Sequence, residues 1–278
     1  MSTQCNPAAS SVGTRRTVDV LKDFGFRHKY RIISVVSVVA LILFWEVGSV
    51  LHWFNPKFIP SIASVWAAFT NVLSNGYNSY SLWFHLWSSM RRLLIAIAMA
   101  FVLAVPLGLL AGANKVIHAI LDPFVEFYRA LPPLAYYTLL VLWFGIGDLS
   151  KISLLTLNAF APIFIQTVYS VEQLPRDRIN GAKSLGANGV DLFLNVIFPS
   201  CLPDILTGLR TAVGVAYATM VAAEMVAAVS GIGWLVLDAS KYVRYDIVYF
   251  GIIIMGAIAI LIDALIRQVI KRVTPWTA

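Results

Sequence analysis

"LLIAIAMAFVLAVPLGLLAGA", Leu93 to Ala113, contains no charged and no amide side chain. About 20 apolar residues in a helix cross the hydrocarbon of a bilayer, so this run is long enough to span. It is continuous, not alternating, which excludes a strand of a transmembrane barrel. The run begins earlier, in the Trp-rich "LWFHLW" of Leu82 to Trp87.

Runs of the same kind lie on both sides. Ile32 to Phe54 precedes it. Leu134 to Ile146, Ile152 to Val171, Ile205 to Val229 and Ile247 to Ile266 follow. The Leu134 run is short and is expected to open at Pro132, since proline suits the first turn of a helix. Pro162 lies inside the Ile152 run and is expected to kink it. The pattern predicts an all-α polytopic membrane protein with six transmembrane helices. Two further segments read as amphipathic helices lying at an interface. Ile62, Val65, Trp66, Phe69 and Val72 recur at helical spacing on the outer side, and "NKVIHAILDPFVEFYRALPP", Asn114 to Pro133, does the same on the inner side.

Composition agrees. Of 278 residues 59% are hydrophobic and 13% charged, with a mean hydropathy of +0.78. A soluble domain carries about 25% charged residues. The net charge of +7 is read as basic cytoplasmic loops and not as a nucleic-acid surface. With the N-terminus inside, fourteen of the 21 Lys and Arg fall on inner segments, among them Arg15, Arg16, Lys115, Arg129, Arg176, Arg178, Lys183 and Lys271. Six fall outside (Lys57, Arg91, Arg92, Lys151, Lys241, Arg244), and Arg210 remains within the fifth span. Both termini are therefore expected in the cytoplasm. Cys5 and Cys201 form no CxxC pair, so no metal or redox motif is read. The first thirty residues hold no early apolar core, so no cleavable signal peptide is expected. With no linker, repeat or low-complexity run, the chain divides into a cytoplasmic segment 1–31 and one membrane domain 32–278.

Between the fourth and fifth spans lies "INGAKSLGANGVDLFLNVIFPSCLPDI", Ile179 to Ile205. It reads as a short helix from Ile179 to Ala187 with a face of Gly181, Ala182, Ser184, Gly186 and Ala187. A turn near Gly186 to Gly189 follows, then a second helix from Val190 to Ile197 that runs to Pro199. The arrangement is expected outside the membrane. The alternative is an ordinary connecting loop.

This stretch resembles the cytoplasmic signature of bacterial ABC importer permeases: Glu-Ala-Ala, three residues, Gly, nine residues, Ile-x-Leu-Pro. Here it reads Asn180-Gly181-Ala182, three residues, Gly186, nine residues, Val196-Ile197-Phe198-Pro199. Asn180 replaces the Glu, which removes any salt bridge made by that carboxylate. "ILDPFVEFYRALPPLAYYTLLVLWFGIGDLSKI", "LPDILTGLRTAVGVAYATMVAAEMVAA" and "RVTPWTA" are similar to the taurine and alkanesulfonate permease subunits, within a broader family that includes nitrate and bicarbonate permeases. The resemblance runs from about Leu82 to the C-terminal end.

The resemblance implies a type I importer permease fold, with a five-span core over about 82–278 and one N-terminal span. It implies a homodimer in the bacterial inner membrane, two ATP-binding cassette subunits, an external solute-binding protein that selects the solute, and surrounding lipid. It implies that Asn180, Gly181, Ala182, Lys183, Ser184, Leu185, Gly186 and Ala187, with Pro199, form a coupling helix seated in the ATPase. The residues agree on one point independently: no Gly-x-x-x-x-Gly-Lys-Ser/Thr phosphate loop is present, and "GAKS" at Gly181 lacks the Gly-Lys step. No cofactor is expected in this chain, and ATP and Mg belong to the partner ATPase.

Ionisable groups within spans are costly and mark function or pairing. Glu224 has two readings, a pathway or gate residue and a carboxylate paired with a base on a neighbouring helix. Arg91 and Arg92, at the outer start of the second span, read either as a mouth that steers an anion or as arginines snorkelling at the headgroups. Arg210 is expected to pair with Asp204 or to line the inner exit, while Glu46 and Asp263 are left to pair across helices. Tyr136, Tyr137 and Tyr217 are candidate pathway hydroxyls. An ion-coupled secondary transporter would use Glu224 and Asp263 as its ion sites, but six spans without a repeat do not fit one. An intramembrane enzyme finds no support in His28, His52, His85 and His118, which are scattered and form no HExxH.

Overall fold

The computed structural model describes residues 11–51, 53 and 55–277. Cys5, His52 and Phe54, together with residues 1–10 of the expected N-terminal segment and the side chain of His28, lie outside the described residues. The chain divides between Ser64 and Val65 into two compact units.

In the first unit, α1 runs from Ser11 to Val50. Its apolar portion, Ile32–Val50, is long enough to span and is almost wholly unburied. The Glu46 carboxylate accepts the Ile62 N–H at 3.2 Å, and Trp45 Nε1 donates to the Pro60 carbonyl at 3.1 Å. These two bonds fold the connection back along the end of α1.

The second unit holds the rest of the helices: α2 (Ile62–Asn75, begun in the first unit), α3 (Leu82–Ala113), α4 (Lys115–Ala130), α5 (Pro133–Phe144), α6 (Asp148–Glu172), α7 (Arg176–Ser184), α8 (Gly189–Leu192), α9 (Phe198–Ala227), α10 (Ile232–Lys241) and α11 (Tyr245–Val273). No strand forms among the described residues. Among the described residues, five helices are long and apolar enough to cross a membrane. The third expected span, α5, has twelve residues, about 18 Å at 1.5 Å per residue, so it is shorter than the hydrocarbon it was expected to cross. Pro133, not Pro132, occupies its first turn. Pro162 lies within α6 without ending it.

The helix starts follow from local chemistry. Ser81 accepts the Phe84 N–H at 3.2 Å, and Asn114 accepts those of Val116 and Ile117, so each satisfies donors that a helix start leaves free. Asp148 sits in the first turn of α6, where the helix dipole favours a carboxylate.

The core is built on α6, which lies between α3 and α9. Ala96, Ala100 and Ala104 of α3, Ala159 of α6, and Ala212 and Ala216 of α9 are all fully buried. Small residues let helices in lipid approach closely, where van der Waals contact is the main attraction. A Cβ at Gly108 would stand 2.7 Å from Thr167, and one at Gly208 2.7 Å from Gln166, so α6 admits no added carbon on either side at these two crossings. On α2 the buried face is Val65, Ala68 and Val72. Phe69 packs 5.4 Å from Phe250 of α11, whereas Trp66, expected on the same face, is exposed. The link between α2 and α3 is tied to α10, where the Tyr77 hydroxyl donates to Asp238 at 3.0 Å. Burial, then that bond to a carboxylate, raises the Tyr77 pKa.

Candidate functional site

Glu224 lies one turn before the end of α9, next to the short connection into α10, and is fully buried. Arg92 Nη1 donates to Oε1 at 2.7 Å. The Ser89 hydroxyl lies 2.8 and 2.9 Å from the two oxygens, and the Gly233 N–H donates to Oε2 at 3.0 Å. Arg92 itself is 4% exposed. Its Nε donates to Asp148 at 2.7 Å, Nη1 also to the Ser230 carbonyl at 3.0 Å, and Nη2 to the Ser230 hydroxyl at 3.2 Å. Arg91 pairs with the same Asp148. Lys151, also buried, donates to the carbonyls of Ile146 and Gly147 at 3.0 Å each. The expectations for Arg92 are therefore corrected: it neither lines an open mouth nor snorkels, because α6 and the α9–α10 connection close over it.

The connection is shaped to admit the carboxylate. Gly231 has φ +124°, and an added Cβ would lie 2.3 to 2.4 Å from the carboxylate atoms of Glu224. Its N–H donates to His85 Nδ1 at 3.2 Å, so the ring proton sits on Nε2 and points to the Tyr77 carbonyl at 3.3 Å. His85 stacks on Trp234 with centroids 5.6 Å apart. The result is a buried polar cluster in which Glu224 and Arg92 are paired and hydrogen-bonded, the condition under which buried ions are tolerated. Of the two readings of Glu224, the geometry shows the ion pair. Ser89, Asp148, Lys151, Ser230, Gly231 and Gly233 were not singled out from sequence. One signal was available: Arg92, Ala96, Ala100 and Ala104 recur every four residues, so the buried stripe of α3 passes through Arg92.

At the other end of α9 the backbone is arranged differently. α7 spans Arg176–Ser184 and stops at Gly186, which has φ +93°. The Gly186 N–H donates to the Lys183 carbonyl at 3.0 Å, and the Ala187 N–H to the Ala182 carbonyl at 3.1 Å. This is a Schellman end, in which a left-handed residue closes the last turn and glycine is favoured because it lacks a Cβ. Thus Asn180 to Ser184 are helical, and Leu185, Gly186 and Ala187 form the turn. The second helix is corrected. Helical backbone continues from Gly189 through a π-helical turn at Phe193–Ile197 into α9. Pro199 ends nothing: helical backbone runs through it, directly after the wider turn in which the Phe198 N–H donates to the Phe193 carbonyl. Leu185 is 91% exposed, and added Cβ atoms at Gly181, Gly186 and Gly189 would meet nothing within 4 Å.

The remaining candidates are dispersed. Arg210 donates to Asp263 of α11 at 2.6 and 3.2 Å, not to Asp204, because one turn of α11 brings Asp263 and Arg267 to that flank of α9. The Tyr217 hydroxyl donates to the Met255 carbonyl at 2.8 Å, and Arg210 and Tyr217 border a recess of about 100 Å³ between α9 and α11. Tyr137 is buried against Leu140, Leu154 and Ala223. Tyr136 lines a larger cavity of about 440 Å³ among α4, α5, α6 and α9. His118, outside every candidate site, lies 3.2 Å from Glu172.

Residues 104–275 match the model of a family described as binding-protein-dependent transport system inner membrane component. The taurine transport system permease protein TauC of Escherichia coli is 37% identical over 245 residues, 88% of this chain and 89% of that protein. The putative aliphatic sulfonates transport permease protein SsuC of Bacillus subtilis is 30% identical over 97% of this chain and 96% of that one. The nitrate import permease protein NrtB of Leptolyngbya laminosa is 32% identical over 70% of each. Among solved structures, an inward-facing form of the MetNI methionine ABC transporter superposes with a TM-score of 0.63 at 15% identity, covering 69% of this chain and 97% of that chain. That likeness establishes the fold.

Proposed function

The chain belongs to the family of binding-protein-dependent transport system inner membrane components, and from that premise we propose that it is the permease of an ATP-driven importer for taurine or an alkanesulfonate. It is a multi-pass inner membrane transport subunit with the type I importer fold, and not an enzyme. The observation that carries the solute class is the extent of likeness to the taurine and sulfonate permeases, which covers nearly the whole chain. The nitrate permease matches less of it, and nitrate or bicarbonate import is the second reading. In this reading two copies of the chain pair in the membrane, with both termini in the cytoplasm. Two ATPase subunits bind ATP and Mg, and an external binding protein delivers the solute. The exposed surface from Asn180 to Ala187 is the coupling helix, and the Gly186 turn joins it to the continuous helical backbone from Gly189 into α9, which transmits movement of the ATPase to the membrane core.

Proteoliposomes that hold the complex, with its binding protein and ATP, are expected to accumulate taurine or ethanesulfonate. Accumulation of nitrate alone would overturn the solute class. Uptake driven by a proton gradient without ATP would overturn the importer itself and return Glu224 and Asp263 to the role of ion sites.

A further inference from the structure

The cavity among α4, α5, α6 and α9 contains both signs of charge and a buried hydroxyl without a partner. Arg129 gives two bonds to one oxygen of Glu126, Nε at 2.9 Å and Nη2 at 2.7 Å, both to Oε2. Neither Oε1 of Glu126 nor Nη1 of Arg129 takes part in that pair. Both side chains are about half exposed, so the pair is weakly held and free to exchange partners. The Tyr128 hydroxyl, on the same wall, is buried with no hydrogen-bond partner. Asn158 directs its Nδ2 to Thr219 at 2.5 Å, which leaves Oδ1 as an acceptor. Tyr136, Leu131, Pro162, Ile165 and Val215 belong to the apolar part of the lining. The volume, about 440 Å³, falls in the usual range of small-molecule sites, about 300–1,000 Å³.

We propose that this cavity is a solute site in the membrane subunit itself, and that it takes a zwitterion with one sulfonate and one ammonium group. The sulfonate accepts from Arg129, and the ammonium donates to Glu126 and Asn158. A simple monovalent anion would satisfy only half of these groups. The buried cluster at Glu224 cannot serve in the same way, because its charges already hold full sets of partners. The proposal rests on the importer reading and narrows it to aminosulfonates.

The test uses the assembled complex in membranes with Val215→Cys, labelled by 2-sulfonatoethyl methanethiosulfonate and compared with the parent chain. Taurine and ethanesulfonate are each expected to slow labelling. Arg129→Gln should raise the half-protecting concentration of both by about tenfold or more, the loss of one charge-assisted hydrogen bond, and Arg129→Lys should restore part of it. Glu126→Gln should weaken protection by taurine about tenfold and leave protection by ethanesulfonate no weaker, since the variant also frees Arg129 from its carboxylate partner. Absence of protection by taurine, or an equal effect of Glu126→Gln on both compounds, overturns the site. Uptake measured on the same membranes separates the two claims. Taurine uptake without protection sinks the site and leaves the importer, protection without uptake does the reverse, and neither result sinks both.

Discussion

The two ends of α9 are built on opposite principles. Glu224 and Arg92 are buried and hydrogen-bonded, and one added carbon at Gly231 has no room. At Gly181 to Gly189 an added carbon meets nothing, and a leucine stands 91% exposed. α9 therefore runs from a closed end that holds α3, α6 and α10 in place towards a turn and a short helix, α7, whose glycines and Leu185 are open among the described residues. A rigid anchor linked through one long helix to an open surface suits a part that is pushed at one end and pivots at the other.

Substitutions in the closed end should have the largest effect. Arg92→Ala leaves the Glu224 carboxylate buried without its cation, and loss of one partner from a buried pair costs about 3–5 kcal/mol. Thermal unfolding in detergent should show this as a large fall in Tm. An unchanged Tm would mean that the cluster does not hold the helices together. Gly231→Ala should come next, at about 1–3 kcal/mol for an overpacked site, because the new Cβ falls on the Glu224 carboxylate. Asp148→Asn should cost less, at most about 1 kcal/mol. That carboxylate is one-third exposed, and Arg92 keeps Glu224 as a partner.

What could be read from sequence divides along the same line. Spans are a local property, so apolar runs located α3, α6, α9 and α11, although α9 begins at Phe198 and α11 runs on to Val273, about two turns beyond the expected ends. The turn at Gly186 was also legible, because a glycine at a Schellman end is a local requirement. The partners of Arg92 were not. They come from the first turn of α6, the end of α9 and the start of α10, and only the close crossing of small residues at α6 brings them together. Arg210 failed for the same reason. Asp204 is near in sequence, but Asp263 is near in space. Pro199 misled because a proline suggests a break, whereas the π-helical turn before it carries the backbone straight into α9.

The smallest expected effect on stability tests the open end. Leu185→Glu replaces a side chain that is 91% exposed, and surface changes of this kind stay within about 0.5 kcal/mol. Gly181→Glu adds a better helix former within α7 where nothing lies in its way, so it should not destabilise either. Both variants should insert, fold and unfold like the parent. Each nevertheless places an unpartnered charge on the face proposed to enter the ATPase, and a charge buried without a partner is strongly unfavourable. Co-purification of the ATPase should therefore fall with both, and ATP-driven uptake with it, while Tm stays constant. If either variant retained the ATPase and full uptake, the open end of α9 would not be where force enters. If instead Tm fell as far as it does in Arg92→Ala, the contrast between the two ends would itself be wrong.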